Sequence, residues 1–108
     1  MFAKGPVARL VVVYKTPKDP SAFDRHYFST HVPLAKKIPG LRKYEVSAGP
    51  VASPAGPSGV HLIAILQFDD AAAIQRAFAS PEGQAAAADV QTFATGGADL
   101  FFYDSREV

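Results

Sequence analysis

The stretch Val60–Phe68, VHLIAILQF, limits what this chain can become more than any other part of it. It has the length of a full strand and is far too short to cross a membrane as a helix, which takes about 20 apolar residues. Successive side chains of a strand point to opposite faces of the sheet. Here the even set, Leu62, Ala64, Leu66 and Phe68, is apolar, and so are Ile63 and Ile65 of the odd set. A sheet with water on one face alternates apolar and polar residues, so both faces of this one need cover. Helices supply it on one face. On the other, the simplest cover is the same face of a second copy, giving a two-fold dimer with its sheets packed together.

The rest of the chain arranges itself around that strand. Ala8–Tyr14 (ARLVVVY) is short, β-branched and apolar, and predicts a buried strand. Asp19-Pro20 opens a helix, the carboxylate capping free amides and the proline fitting the first helical position. That helix is expected to end or kink near Val32, because Pro33 lacks an amide and its ring crowds the preceding turn; one further turn, about Pro33–Lys37, follows. Leu41–Ala48 predicts a second strand, and Gly49–Gly59 (GPVASPAGPSG) a loop with no drive to fold by itself. Asp70 caps a helix with Ile74, Ala77 and Phe78 on one face. Ser80-Pro81-Glu82 caps another, running to about Phe93 with Ala86, Val90 and Phe93 as its apolar stripe. Gly96-Gly97 stops it, and Ala98–Tyr103 is the last strand. The order is β-α-β-β-α-β, which predicts a ferredoxin-like α+β fold. Its four-stranded antiparallel sheet has the helices on one face. At 108 residues the chain is expected to form a single domain spanning 1–108.

Composition removes several classes of function. Eleven basic against 10 acidic residues, a net charge of +1, leave no basic excess for nucleic acid or an anionic membrane. The strands also lack the aromatic pattern that stacks bases in RNA-binding versions of this topology. With no cysteine, thiolate nucleophiles, iron–sulfur clusters and cysteine metal sites are excluded. No phosphate-binding glycine loop or nucleophile elbow is present. The first residues carry no long apolar stretch with a cleavage site, so a cytoplasmic protein is expected.

Chemistry concentrates on the first helix. At about 100° per residue, Phe23, Tyr27, Thr30 and Leu34 form the stripe that faces the sheet. His26 and His31 fall on opposite flanks, roughly 140° apart, so they are not expected to share a metal. His31 lies one turn beyond Tyr27 and two beyond Asp24, which predicts a line Asp24–Tyr27–His31 along the helix–sheet groove. A carboxylate, a phenol and an imidazole in line suit proton transfer. Alternatively, His31 hydrogen-bonds a backbone carbonyl freed by Pro33, and Tyr27 is simply core. His61, Tyr14, Tyr44 and His26 are weaker pocket candidates. His61 sits at a strand edge, the two tyrosines are as well suited to packing, and His26 is expected on a solvated flank.

The segment Tyr14–Gly40 resembles the EthD family of dimeric α+β-barrel proteins. The likeness rests on a strand ending in Tyr14-Lys15, then Phe23-Asp24, Tyr27, His31, Pro33-Leu34 and Pro39-Gly40-Leu41. The later stretch from Phe68 to Gly97, with its Ser80-Pro81-Glu82-Gly83 corner, looks like the matching second half. This resemblance implies a ferredoxin-like subunit that pairs sheet to sheet as a homodimer. It implies a setting in the breakdown of small organic compounds, the family being named for ethyl tert-butyl ether degradation. The wider fold group includes isomerases, cyclases and cofactor-free monooxygenases that take substrate between sheet and helices. The expectation is therefore a small hydrophobic, oxygen-containing ligand met without cofactor or metal, with His31 as acid or base and Tyr27 and Asp24 assisting. A non-catalytic carrier and a purely structural dimer are the alternatives. Haem is not expected, since neither His31 nor His61 has a recognisable haem setting.

Overall fold

The computed structural model describes residues 6–108. Strand β1 (Val7–Lys15) leads to helix α1 (Pro20–His26), a π-helical turn (Tyr27–His31) and a short α2 (Val32–Ala35). Next come β2 (Lys43–Val46), a miniature hairpin of β3 (Ala52–Ser53) and β4 (Gly56–Pro57), and β5 (Val60–Phe68). Helices α3 (Ala71–Ala79) and α4 (Pro81–Phe93) precede the last strand, β6 (Ala98–Ser105). The main sheet is antiparallel, ordered β2-β5-β1-β6, and the fold is ferredoxin-like α+β. No helix among the described residues is long and apolar enough to cross a membrane.

The caps fall where the residues place them. Asp19 accepts from the Ala22 amide, Asp70 from Ala73 and Ser80 from Gly83, each satisfying a free donor of a first turn. The second strand is shorter than Leu41–Ala48, and the 49–59 loop holds the hairpin, pinned by Ser53 Oγ donating to the Gly56 carbonyl.

Pro33 does not end the first helix. The chain widens into a π turn ahead of it, in which the Val32 amide bonds back to the Tyr27 carbonyl, five residues away. A proline in a regular helix has no amide to donate and crowds the carbonyl four residues before it, here that of Ser29. The wider turn takes up one extra residue and lets α2 continue through the proline. This shifts the phase of everything after it. The buried residues are Phe23, Tyr27, His31 and Ala35, each four apart, whereas Thr30 is exposed and Leu34 only half-buried. The expected stripe through Thr30 and Leu34 is thus corrected, and the extra residue turns His31 into the core.

On the helix-facing side of the sheet, Ala8, Leu10, Val12 and Tyr14 of β1 pack beside Leu62, Ala64, Leu66 and Phe68 of β5, all buried. The opposite side carries Val11, Val13, Ile63 and Ile65, half-buried, with no helix of the described residues over them. Strand pairing continues this apolar row onto β6, where Phe101 lies beside Val11 and is 57% exposed.

Candidate functional site

Between the helix face of the sheet and the helical layer lies a cavity of about 210 Å³. Its walls are mostly apolar: Leu10, Val12, Ala64 and Leu66 from the sheet, Ala35 and Ile38 after the π turn, Ala86 and Val90 from α4, and Leu100 from β6. Four polar side chains reach it, those of Tyr14, Tyr27, Tyr44 and His31 on this wall, with Gln91 at its rim. β1 brings Tyr14 by strand alternation, β2 brings Tyr44, and the π turn carries Tyr27 and His31 at its two ends.

The Tyr27 and Tyr44 hydroxyls hydrogen-bond each other at 2.6 Å. Tyr14 is 1% exposed, yet its hydroxyl bonds to no group among the described residues, and no buried side-chain polar atom is sealed away unpaired. The Tyr14 oxygen therefore reaches the cavity itself, as an unpartnered donor inside an apolar wall. Burial, with the neighbouring Tyr44 second, pushes the Tyr14 hydroxyl well above the usual phenol range. Burial does the same to Tyr27 and Tyr44. All three remain neutral hydrogen-bond donors.

His31 is 6% exposed and its Nδ1 donates to Asp89 Oδ2 at 3.0 Å. With Nδ1 as the donor, the neutral ring leaves a lone pair on Nε2, which has no hydrogen-bond partner among the described residues. Burial, the largest influence, holds His31 below its ordinary value despite the Asp89 carboxylate, so the ring is neutral and basic. Asp89 also receives His26 Nε2, at 2.8 Å to Oδ1 and 3.0 Å to Oδ2, and Thr92 Oγ1. Burial opposes its ionisation, but the hydrogen bonds from His26 and His31 outweigh that and hold the carboxyl below its usual range. Phe93 packs against both imidazoles, with ring centroids 5.3 Å from His26 and 4.9 Å from His31.

This arrangement corrects three sequence expectations. The line Asp24–Tyr27–His31 does not form: Asp24 turns away and accepts from His61 Nε2 at 2.8 Å. His31 bonds a carboxylate and not a backbone carbonyl. His26 and His31 do not sit on opposite flanks, because the π turn brings residues five apart to one side, where a single carboxylate takes both. Of the pocket candidates, Tyr14 lines the cavity. His26 borders a separate outer cleft of about 270 Å³, and His61 a groove of about 1000 Å³ beneath the hairpin. That larger groove is walled chiefly by the 46–59 segment, and its His61 and Asp24 already satisfy each other. Asp89 is the candidate-site residue that sequence reasoning missed. Its signal is faint: it is the one charged side chain of α4 beyond Glu82. Among the described residues no group of three or more His, Asp or Glu side chains is arranged to hold a metal ion.

Comparison with known proteins adds the following. The family profile described as the EthD domain matches residues 15–97. An uncharacterized 11.0 kDa protein in the thcB-thcC intergenic region of Rhodococcus erythropolis is 46% identical over 101 residues, covering 93% of this chain and 96% of that one. The crystal structure of an ethyl tert-butyl ether d (EthD) family protein from Bacillus halodurans superposes with a TM-score of 0.85 at 38% identity, covering 93% of this chain and 99% of that one. A dimeric ferredoxin-like protein of unknown function from Thermobifida fusca, 12% identical, shares the fold with a TM-score of 0.69 over 95% of this chain and 94% of that one.

Proposed function

The chain belongs to the EthD family, and on that premise we propose that it binds a small oxygen-bearing organic compound in the sheet–helix cavity and moves a proton on it without a cofactor. The observation that carries this reading is the pairing of an unpartnered Tyr14 hydroxyl with a neutral His31 on the wall of one apolar cavity. Such a pair has the parts of an acid–base site. The phenol donates to an oxygen that gains negative charge, and the imidazole Nε2 takes a proton from the neighbouring carbon or hydroxyl. Apolar walls strengthen both interactions by excluding water.

Size narrows the ligand. A cavity of about 150 Å³ accepts benzene, so about 210 Å³ suits a compound of one ring or a short branched chain with an oxygen. In this reading Tyr27 and Tyr44 act as a paired donor beside Tyr14, and Asp89 takes the assisting role that Asp24 was expected to fill. The protein works in the cytoplasm, in a degradation pathway. It acts as a homodimer joined through the open sheet face, for which the exposed apolar row and the dimeric neighbour of the same fold are the support.

The test is deuterium wash-in from heavy water, followed by NMR, on a panel of single-ring and branched aldehydes and ketones. We expect exchange at the carbon beside the carbonyl for at least one compound. His31→Gln should slow it by about 10²–10⁴-fold, and Tyr14→Phe should weaken binding of the same compound. Compounds that bind but never exchange would make the protein a carrier, and a panel that neither binds nor exchanges would sink the site.

A further inference from the structure

Asp89 stands between two histidines that face different spaces. His31 faces the sheet–helix cavity, while the His26 side chain is 32% exposed and borders the outer cleft with Lys18, Asp19 and Thr95. The three groups are continuous, at 3.0 Å from His31 Nδ1 to Asp89 Oδ2, and 3.0 Å from that same oxygen to His26 Nε2. A base whose Nε2 is covered by the bound compound turns over only if its proton has a way out and back. We infer that His31–Asp89–His26 is a proton path through the helical layer, by which the cavity base exchanges protons with bulk water on the side away from the bound compound.

Each step balances. When His31 Nε2 takes a proton from the bound compound, the ring becomes an imidazolium. Its Nδ1–H bond then breaks and an O–H bond forms on Asp89 Oδ2. His26, which water can reach, interconverts its tautomers, and in the form with hydrogen on Nδ1 its Nε2 accepts the Asp89 proton. His26 then releases its Nδ1 proton to water. The reverse sequence returns a proton to His31 Nδ1 as Nε2 gives its own to the product. Asp89 never has to stay protonated, because a basic nitrogen lies on each side of it. The groups facing the relay are few: Thr92 on Asp89 and His26, Phe93 against both rings, Tyr27 beside His31, and Lys18 and Asp19 across the cleft. Among the side chains of the described residues, Thr92 alone hydrogen-bonds to the relay, at Asp89 and His26 and not at His31. This inference rests on the cavity reading above, yet it assigns His26 and Asp89 a role that a merely orienting carboxylate lacks.

The experiment needs no substrate. In protein labelled with ¹⁵N-histidine, the ring-nitrogen shifts report the His31 tautomer, and line shape and saturation transfer report the lifetime of its Nδ1 proton against water. His26→Gln keeps a hydrogen bond to Asp89 through its amide N–H but has no basic nitrogen to accept and pass on the Asp89 proton. We expect it to preserve the His31 tautomer and lengthen that lifetime by on the order of 10²-fold, the low end of what a positioned acid–base group contributes. An unchanged lifetime in the folded variant overturns the relay. If His26→Gln does not fold, His26→Ala with added imidazole replaces it. Imidazole-dependent restoration of fast exchange supports the path, and exchange that is fast without imidazole overturns it. Because no ligand is present, the relay can fail while His31 remains a base, and the cavity reading can fail while the relay stands.

Discussion

Acid should reach His31 before it reaches the carboxylate beside it. Burial holds the folded-state value of His31 below the ordinary 6.5. An unfolded chain therefore binds a proton near that pH which the folded chain refuses. Stability from this residue is complete above about 6.5 and is lost as the pH falls from there toward the lower folded value. Asp89, also held low, adds a second loss in the same direction below its ordinary 3.8. In urea unfolding, wild type is expected to lose stability as the pH falls below about 6.5, and His31→Gln to flatten that slope. Equal slopes would remove His31 as the cause. Much of this chemistry was readable from the first helix, since Tyr27 and His31 stand four apart beside a proline. Asp89 was not, because an acid after four alanines looks like the wet side of a closely packed helix. What brings it into the site is a pair of partners more than fifty residues away.

At the level of elements, the π turn decides whether the site exists. Strand limits and caps were legible because alternation, Pro at a first helical position and Asp or Ser before it are local signals. The phase of the first helix was not, because a fixed angle per residue cannot register an inserted one. Proline at 33 was the clue. It demanded an irregularity, but local sequence left open whether the helix would stop or widen. Deleting exposed Thr30 tests this account. The deletion should leave a regular helix in which Phe23, Tyr27, His31 and Ala35 still face the core. Pro33 would then sit in an unbroken helix interior, at a cost of about 3 kcal/mol. Adding Pro33→Ala to the deletion should recover most of that cost in urea unfolding. A deletion that costs nothing would mean that the turn does not serve the proline.

For the molecule as a whole, the two-sided apolar pattern of β5 already called for a second cover on the sheet, and β6 extends that need to the sheet edge. Leu100, Phe101, Phe102 and Tyr103 are each close to half exposed, an unusual run for a chain left alone in water. Phe101→Asp puts a charge at the β6 end of the row formed with Val11 and Ile65. Light scattering after gel filtration should find a dimer for wild type and a folded monomer for the variant. The expected weakening is about 2 kcal/mol or more, as for a large aromatic anchor of an interface. A wild-type monomer at micromolar concentration would leave the open face without its proposed partner.

The placement of the phenols has a practical consequence. The chain has no tryptophan and only four tyrosines. Three of them, Tyr14, Tyr27 and Tyr44, meet at the cavity, and the fourth, Tyr103, stands exposed on the open face. Its ultraviolet emission therefore comes from the two places that matter. A Tyr103→Phe variant would confine the light to the cavity, and a compound that settles against Tyr14 would change its brightness. The molecule carries its own optical reporter, and a ligand screen can begin with unlabelled protein in a cuvette.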